Sequence, residues 1–386
     1  MLTIQVGGEQ MTVDRATLMI AASEADANLY YATRFIAPDP FVFLEIKGER
    51  LMLMSDLELD RARSQAVVDQ VLSVSEVERR VRAQGVKDPG TVEVVHAVLQ
   101  ERGVRRLLVP GNFPYAHAVR LRDLGYHLET KPEPFFERRA VKTDEEVRYI
   151  EATQRAIEEA VTAAHHALRE ASPREGVLWS DGEPLTSEWI KKLINVKLME
   201  RDCVAQHTIV AGGEQACDPH HEGSGPLPVD RSIIFDVFPR SGQTRYFADM
   251  SRTVVRGHPS PELKRLYQTV QDAQEEAIGR VRDGADGAKI HQGICDRFEA
   301  AGYKTGLVNG RMQGYFHGTG HGVGLDIHEA PRISRSGTPL QEGQVVTVEP
   351  GLYYPGLGAV RIEDMVLVTR DGCRNLTDFP KTFELE

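Results

Sequence analysis

His317-Gly318-Thr319-Gly320-His321-Gly322-Val323-Gly324 leads into His328-Glu329-Ala330-Pro331, and Val348-Glu349-Pro350-Gly351 and Arg361-Ile362-Glu363-Asp364 follow within 33 residues of Pro331. Imidazoles and carboxylates are concentrated here on segments too rich in Gly and Pro for long helices. A lone Gly-His-Gly reads as an exposed turn. Glu349 and Glu363 oppose that reading. Glu349 closes the apolar run Val345-Val346-Thr347-Val348, which has the pattern of a buried strand. Glu363 lies inside Val360 to Val368, a second strand-like run. A carboxylate so placed is costly unless it is paired or binds metal.

Two more acids stand upstream in the same setting. Asp236 follows Ser232-Ile233-Ile234-Phe235, and Asp249 precedes Met250-Ser251-Arg252-Thr253-Val254-Val255. Residues 240–245 read as the hairpin turn between them. The expectation is two hairpins with one acid per strand and one Gly-flanked imidazole, His321. Four carboxylates and an imidazole suit two adjacent divalent cations, with oxygen-rich ligation favouring Mn, Co or Zn. Two such ions, roughly 3.5–4 Å apart, activate a water between them.

The set Asp236, Asp249, His321, Glu349 and Glu363 resembles the five-ligand metal site of the pita-bread metallopeptidases. The His-Glu-x-Pro run at 328–331, Glu-Pro-Gly-Leu-Tyr at 349–353 and Arg-Ile-Glu-Asp at 361–364 resemble their proline-specific branch. The resemblance covers about residues 140–380. It implies a pita-bread C-terminal domain with a pseudo-twofold repeat and an Xaa-Pro aminopeptidase or Xaa-Pro dipeptidase activity. It implies two divalent metals, Mn foremost, with Asp249 and Glu363 at the bridge. One departure stands out: Asp236-Val237-Phe238 replaces the family's Asp-x-Gly.

A chain of 386 residues suggests two domains. A formal net charge of −11 argues against nucleic acid and anionic membranes as partners. Residues 1–6 lack the basic and apolar segments of a signal peptide, and no apolar run approaches the ~20 residues of a membrane span. Cys203, Cys217, Cys295 and Cys373 show no CxxC spacing, which suits free thiols in a cytoplasmic protein.

The first 130 residues read as α/β. Strands are expected at 41–46, 51–54, 71–74 and 106–109, and helices at 57–66, 92–102 and 114–124. His96, His117 and His127 are scattered there as packing or surface residues. Thr130-Lys131-Pro132-Glu133-Pro134 marks the boundary between domains at 1–135 and 136–386. The first resembles a creatinase-type N-terminal domain, which in that family helps build a homodimer. Thr143 and Glu146 form a capping box for a helix from 147 to 168. A loop is expected at 173–184, and further helices at 188–199, 263–281 and 288–301. The order of helix, strands and acid hairpin thus occurs twice, so the whole reads as α/β (α+β).

His220, in Asp218-Pro219-His220-His221-Glu222, matches the family's accessory histidine, and His317 and His328 match two more. Peptide hydrolysis needs donors at the developing oxyanion and a proton for the leaving nitrogen. Glu349 is the candidate general base. Strand alternation places Arg361 on one face with Glu363, beside the acids. Tyr353 matches a family active-site tyrosine or serves an apolar pocket. The expected substrates are peptides with proline at the second position. A metal-dependent lyase or another non-peptidase hydrolase on the same fold would keep the same ligands. Creatinase-type members and binding modules lack them.

Overall fold

The computed structural model describes residues 15–386, so the reading of residues 1–6 lies outside the described residues. The chain divides after Glu137 into two compact units.

The first unit is a mixed six-stranded sheet with helices on both faces. In chain order it runs β1 (Arg15–Ala21), α1 (Ala27–Thr33), β2 (Phe41–Ile46), β3 (Glu49–Met54), α2 (Leu59–Gln65), β4 (Gln70–Ser73), α3 (Val74–Ala83), α4 (Thr91–Glu101), β5 (Arg106–Pro110), α5 (Tyr115–Asp123) and β6 (His127–Lys131). The strand order is β4-β3-β2-β1-β5-β6. Period two sorts its side chains. Leu18, Val42, Leu44 and Leu53 join a core with α3, α4 and α5, while Met19, Phe43 and Met52 join a second with α1 and α2. Four elements escaped the sequence reading: β1, α1, α3 and β6. Central strand β1 is apolar on both faces and shows no alternation. Ser73 both ends β4 and caps α3, accepting the Glu76 amide at 3.2 Å, so no turn residue separates them.

The second unit opens with α6 (Asp144–Glu170), whose capping box is present: Thr143 Oγ1 accepts the Glu146 amide at 3.3 Å, and Glu146 accepts the Thr143 amide at 2.9 Å. Residues 173–184, expected as a loop, instead form a small sheet of β7 (Ser172–Arg174), β8 (Val177–Ser180) and β9 (Glu183–Pro184). Then come α7 (Ser187–Met199), β10 (Cys203–Val204), β11 (Ile209–Gly212), β12 (Ile233–Val237), β13 (Arg240–Ser241) and β14 (Met250–Arg256). Helices α8 (Pro261–Arg280) and α9 (Gly287–Ala300) begin at the capping residues Ser260 and Asp286. Next are β15 (Gly306–Val308), β16 (Arg311–Gln313), β17 (Gly320–Gly322), β18 (Glu329–Ile333), β19 (Val345–Val348), β20 (Gly351–Tyr354), β21 (Gly358–Arg361), β22 (Asp364–Val368), β23 (Cys373–Asn375) and β24 (Glu384–Leu385).

Two sheets dominate, β11-β12-β14-β24 and β18-β17-β19-β22-β23. Each follows a helix pair, so the repeated order of helices and acid-bearing strands is present. Residues 240–245 do turn the chain between β12 and β14: Arg240 bridges Phe247, and the Ser241 amide donates to the Tyr246 carbonyl at 3.0 Å, while β13 also pairs with β10. One local expectation is corrected. Residues 360–368 are not one alternating strand: β21 pairs with β20 and β22 with β19. The break at Ile362-Glu363 carries the chain from one partner to the other, and 358–366 is buried throughout. That break also stitches the sheets together. The Glu363 amide donates to the Ser251 carbonyl at 3.0 Å, and Thr253 Oγ1 donates to the Arg361 carbonyl at 2.9 Å.

Candidate metal centre

The acids sit where strands stop. Asp236 is the fourth residue of β12, opposite Ser251 of β14, and Asp249 immediately precedes β14. Glu349 follows β19, and Glu363 precedes β22. His321 lies in β17 at an irregularity of its pairing with β18, a place where bulges re-aim side chains. Gly320 lets β17 lie against β19, since a Cβ there would stand 1.9 Å from the Thr347 carbonyl oxygen. Thr347 Oγ1 accepts the His321 amide at 3.1 Å and donates to Glu349 Oε1 at 3.3 Å.

Ligand atoms of Asp249, His321 and Glu363 converge within 4.8 Å of one another, all three residues buried. His321 Nε2 lies 3.7 Å from Asp249 Oδ2 and 3.3 Å from Glu349 Oε1. Asp236 Oδ2 accepts Arg361 Nη2 at 2.7 Å. Arg361 also donates to Ser251 Oγ at 3.0 Å and to the Tyr353 hydroxyl at 2.9 Å, and Ser251 Oγ donates to Glu363 Oε2 at 2.8 Å. Arg361 and Glu363 therefore do converge, through Ser251 rather than through alternation along one strand. His317 Nδ1 meets the Gly318 carbonyl at 2.8 Å, which makes Nδ1 the protonated nitrogen and leaves Nε2 to accept the Tyr353 hydroxyl at 3.0 Å.

The electrostatics are those of a site short of positive charge. Burial, then the Glu363, Asp236 and Glu349 carboxylates, pushes Asp249 well above the carboxylate range against the pull of Arg361. Burial, then Glu349 and Asp236, does the same to Glu363. Burial raises Glu349 to about 7, with Arg361 opposing it and Asp236 adding to it. Burial, then the His328 ring, holds His321 down at about 3, and it is neutral. Its Nδ1 faces the Gly322 carbonyl at 3.2 Å and carries the proton, so the Nε2 lone pair points at carboxylate oxygens. Lone pair against lone pair is repulsive without a cation between them. Asp249 Oδ1 and Glu363 Oε1 are buried and have no hydrogen-bond partner among the described residues. Orphaned carboxylate oxygens around an unprotonated imidazole nitrogen fit a divalent metal.

The five expected ligands, with His220, His317, His328 and Arg361, line one cavity of about 910 Å³. His328 stands edge-on to His321, ring centroids 4.4 Å apart at 84°. His221 is not on the lining; its Nδ1 accepts the Gly223 amide at 3.0 Å. The sequence reading missed Ser251 and Thr347. Both are hydroxyls two residues from an acid along a strand, and that spacing was the available signal. It also missed the apolar wall of Ile209, Phe238, Phe316 and Ile327.

A family model, metallopeptidase family M24, matches residues 148–370. The chain belongs to this family. Among curated relatives, the M24 chain is 33% identical over 240 residues to the Xaa-Pro dipeptidase of Pyrococcus furiosus. That match spans 62% of this chain and 63% of the Pyrococcus protein. It is 27% identical to an uncharacterized peptidase of Staphylococcus saprophyticus over 96% of this chain and 100% of that one. Its fold is that of the X-Pro aminopeptidase from Thermotoga maritima, with a TM-score of 0.79 and 23% identity over 96% of this chain and 97% of that one. The Xaa-Pro dipeptidase from Bacillus anthracis superposes with a TM-score of 0.80 at 22% identity, over 96% and 95% of the two chains. This is the pita-bread fold expected from the motifs. Membership in a metallopeptidase family implies divalent metal, and the donor set of this M24 chain fits it.

Proposed function

We propose that this M24 chain hydrolyses the bond between an N-terminal residue and a following proline, using two divalent ions held by Asp236, Asp249, His321, Glu349 and Glu363. The carrying observation is the pair of orphaned oxygens, Asp249 Oδ1 and Glu363 Oε1, beside the Nε2 of neutral His321. The ions, when bound, supply charge neutralisation and Lewis-acid activation of water and carbonyl. Glu349, less buried than its neighbours at 19% side-chain exposure, takes the proton of the attacking water. Arg361 fixes Asp236 and, through Ser251, Glu363. Exposed His220 and His328 are the donors on the cavity wall for the oxyanion and the leaving nitrogen, while His317, accepting the Tyr353 hydroxyl, holds that tyrosine against Arg361.

Proline enters through its chemistry. An Xaa-Pro bond has no N–H, so its ring can lie on Phe238, Phe316 and Ile327 with no donor stranded. Desolvating the N–H of an Xaa-Ala bond there costs about 1–3 kcal/mol. The names of the Pyrococcus and Bacillus relatives support this substrate class. The test is hydrolysis of Ala-Pro, Ala-Pro-Yaa, Ala-Ala and N-acetyl-Ala-Pro with Mn²⁺, Co²⁺ or Zn²⁺ supplied. Ala-Pro peptides are expected to be cut at least about tenfold faster than Ala-Ala, the ratio that ~1.4 kcal/mol implies. Equal rates, or cleavage that survives acetylation, overturn the reading.

A further inference from the structure

The turn that carries His328 is anchored from beneath by buried charge. Residues 323–328 lead out of β17, and Glu329 opens β18. The Glu329 carboxylate folds back under that turn. Its Oε1 accepts Lys142 Nζ at 2.6 Å, and its Oε2 accepts Arg139 Nη2 at 2.9 Å and the Asp326 amide at 3.5 Å. Arg139 Nη2 also donates to Asp326 Oδ2 at 2.7 Å. The side chains of Lys142, Arg139 and Glu329 are 1%, 4% and 9% exposed. Ion pairs so buried are a weak source of net stability, because desolvation consumes most of the Coulomb gain. What they do well is hold geometry.

Gly324 completes the cradle. A Cβ there would stand 2.5 Å from Glu329 Oε1, so the carboxylate occupies the space a side chain would take. The Gly324 amide donates to the Asp326 carbonyl at 3.1 Å, and the Phe247 amide donates to the Gly324 carbonyl at 2.8 Å. The imidazole of His328, exposed on the cavity wall, has no hydrogen-bond partner among the described residues; the ring contact with His321 is what marks its place. Its orientation is inherited from the turn.

We propose that Arg139 and Lys142, acting through Glu329, are positioning residues for His328: they fix the 323–329 turn so that the imidazole faces the reacting bond. This rests on the role given to His328 above. Misplacing a catalytic group by about 1 Å costs on the order of 10²-fold in rate.

A double-mutant cycle on the metal-loaded full chain tests it, with Ala-Pro as substrate. Lys142→Met is expected to lower kcat roughly 10–100-fold with KM and bound metal within threefold of wild type. In a His328→Ala background the same substitution is expected to change kcat less than twofold, because the group it positions is gone. Lys142→Arg should recover most of the loss. Gly324→Ala displaces the Glu329 carboxylate without removing any charge, and it carries the test should Lys142→Met fail to fold. A second readout uses metal-free protein. The ring proton signal of His328, assigned by its disappearance in His328→Ala, should move toward the free-histidine position in Gly324→Ala. Full multiplicative loss in the His328→Ala background overturns the proposal. So does an unchanged kcat in both Lys142→Met and Gly324→Ala while His328→Ala is impaired. An unaffected His328→Ala overturns the role of His328 first, and the proposal with it.

Discussion

Asp249 shows what one residue does here. It is 4% exposed, one of its oxygens has no partner among the described residues, and three carboxylates press on it. Such a group is unfavourable in the empty fold and favourable only with a cation beside it. Asp249→Asn keeps the shape and removes the charge. The variant is expected to release metal and lose turnover, as elemental analysis and the Ala-Pro assay would show. Its metal-free form is expected to be at least as stable to urea as metal-free wild type, because a like charge has been taken out of the cluster. A metal-free variant clearly less stable than wild type would show that Asp249 supports the fold rather than a cation.

At the scale of the element, close approach of backbones sets the site. Gly320 lies where β17 crosses the Thr347 carbonyl, and a methyl group there has no room. Gly320→Ala is expected to push β17 from β19, separating His321 from Glu349, at a cost of about 1–3 kcal/mol for the overpacking. Bound metal measured beside the urea midpoint checks it: both should fall together. Helix α6 offers a pH test. His165 is packed edge-on between Phe235 and Phe379, with ring centroids at 5.2 and 5.4 Å. Burial, helped by Arg169 and Arg252, holds it down at about 3. Unfolding restores an ordinary value near 6.5, so the unfolded chain takes up a proton that the folded one refuses. The penalty is absent above about pH 6.5 and grows as pH falls toward 3, reaching roughly 3 kcal/mol near pH 4.5. His165→Phe should therefore gain stability relative to wild type as pH drops from 7 to 4.5. Parallel stability curves for the two proteins would refute the burial of a neutral ring.

For the molecule as a whole, metal and stability are linked in one unit. The candidate ligands all lie in Arg138–Glu386. Chelation is expected to lower the unfolding free energy of that unit by about 2.7 kcal/mol if metal was present at a hundred times its dissociation constant. Hydrogen exchange should then rise in peptides from β12, β14, β17 and β22 and stay unchanged in peptides from residues 15–137. Exchange rising equally in both units would contradict a metal site confined to the second.

Much of this was legible in the chain alone, because it depends on neighbours within a few residues. The capping box of α6, the apolar run before Glu349, and the Gly-flanked His321 are local signals of hydrogen bonding and hydrophobic period. Together with the resemblance of the motifs to the pita-bread metallopeptidases, they carried the expectation of the fold and of a five-residue cluster. Other features came only with the folded chain. Residues 360–368 look like one strand in isolation, yet the sheet breaks them at Glu363, because β21 and β22 satisfy different partners. Ser251 bridges Arg361 and Glu363 across 110 and 112 residues of sequence, and Lys142 reaches Glu329 across 187. Contacts of that span leave no periodicity behind, since which strand lies beside which is settled by packing the whole core and satisfying every buried polar group at once.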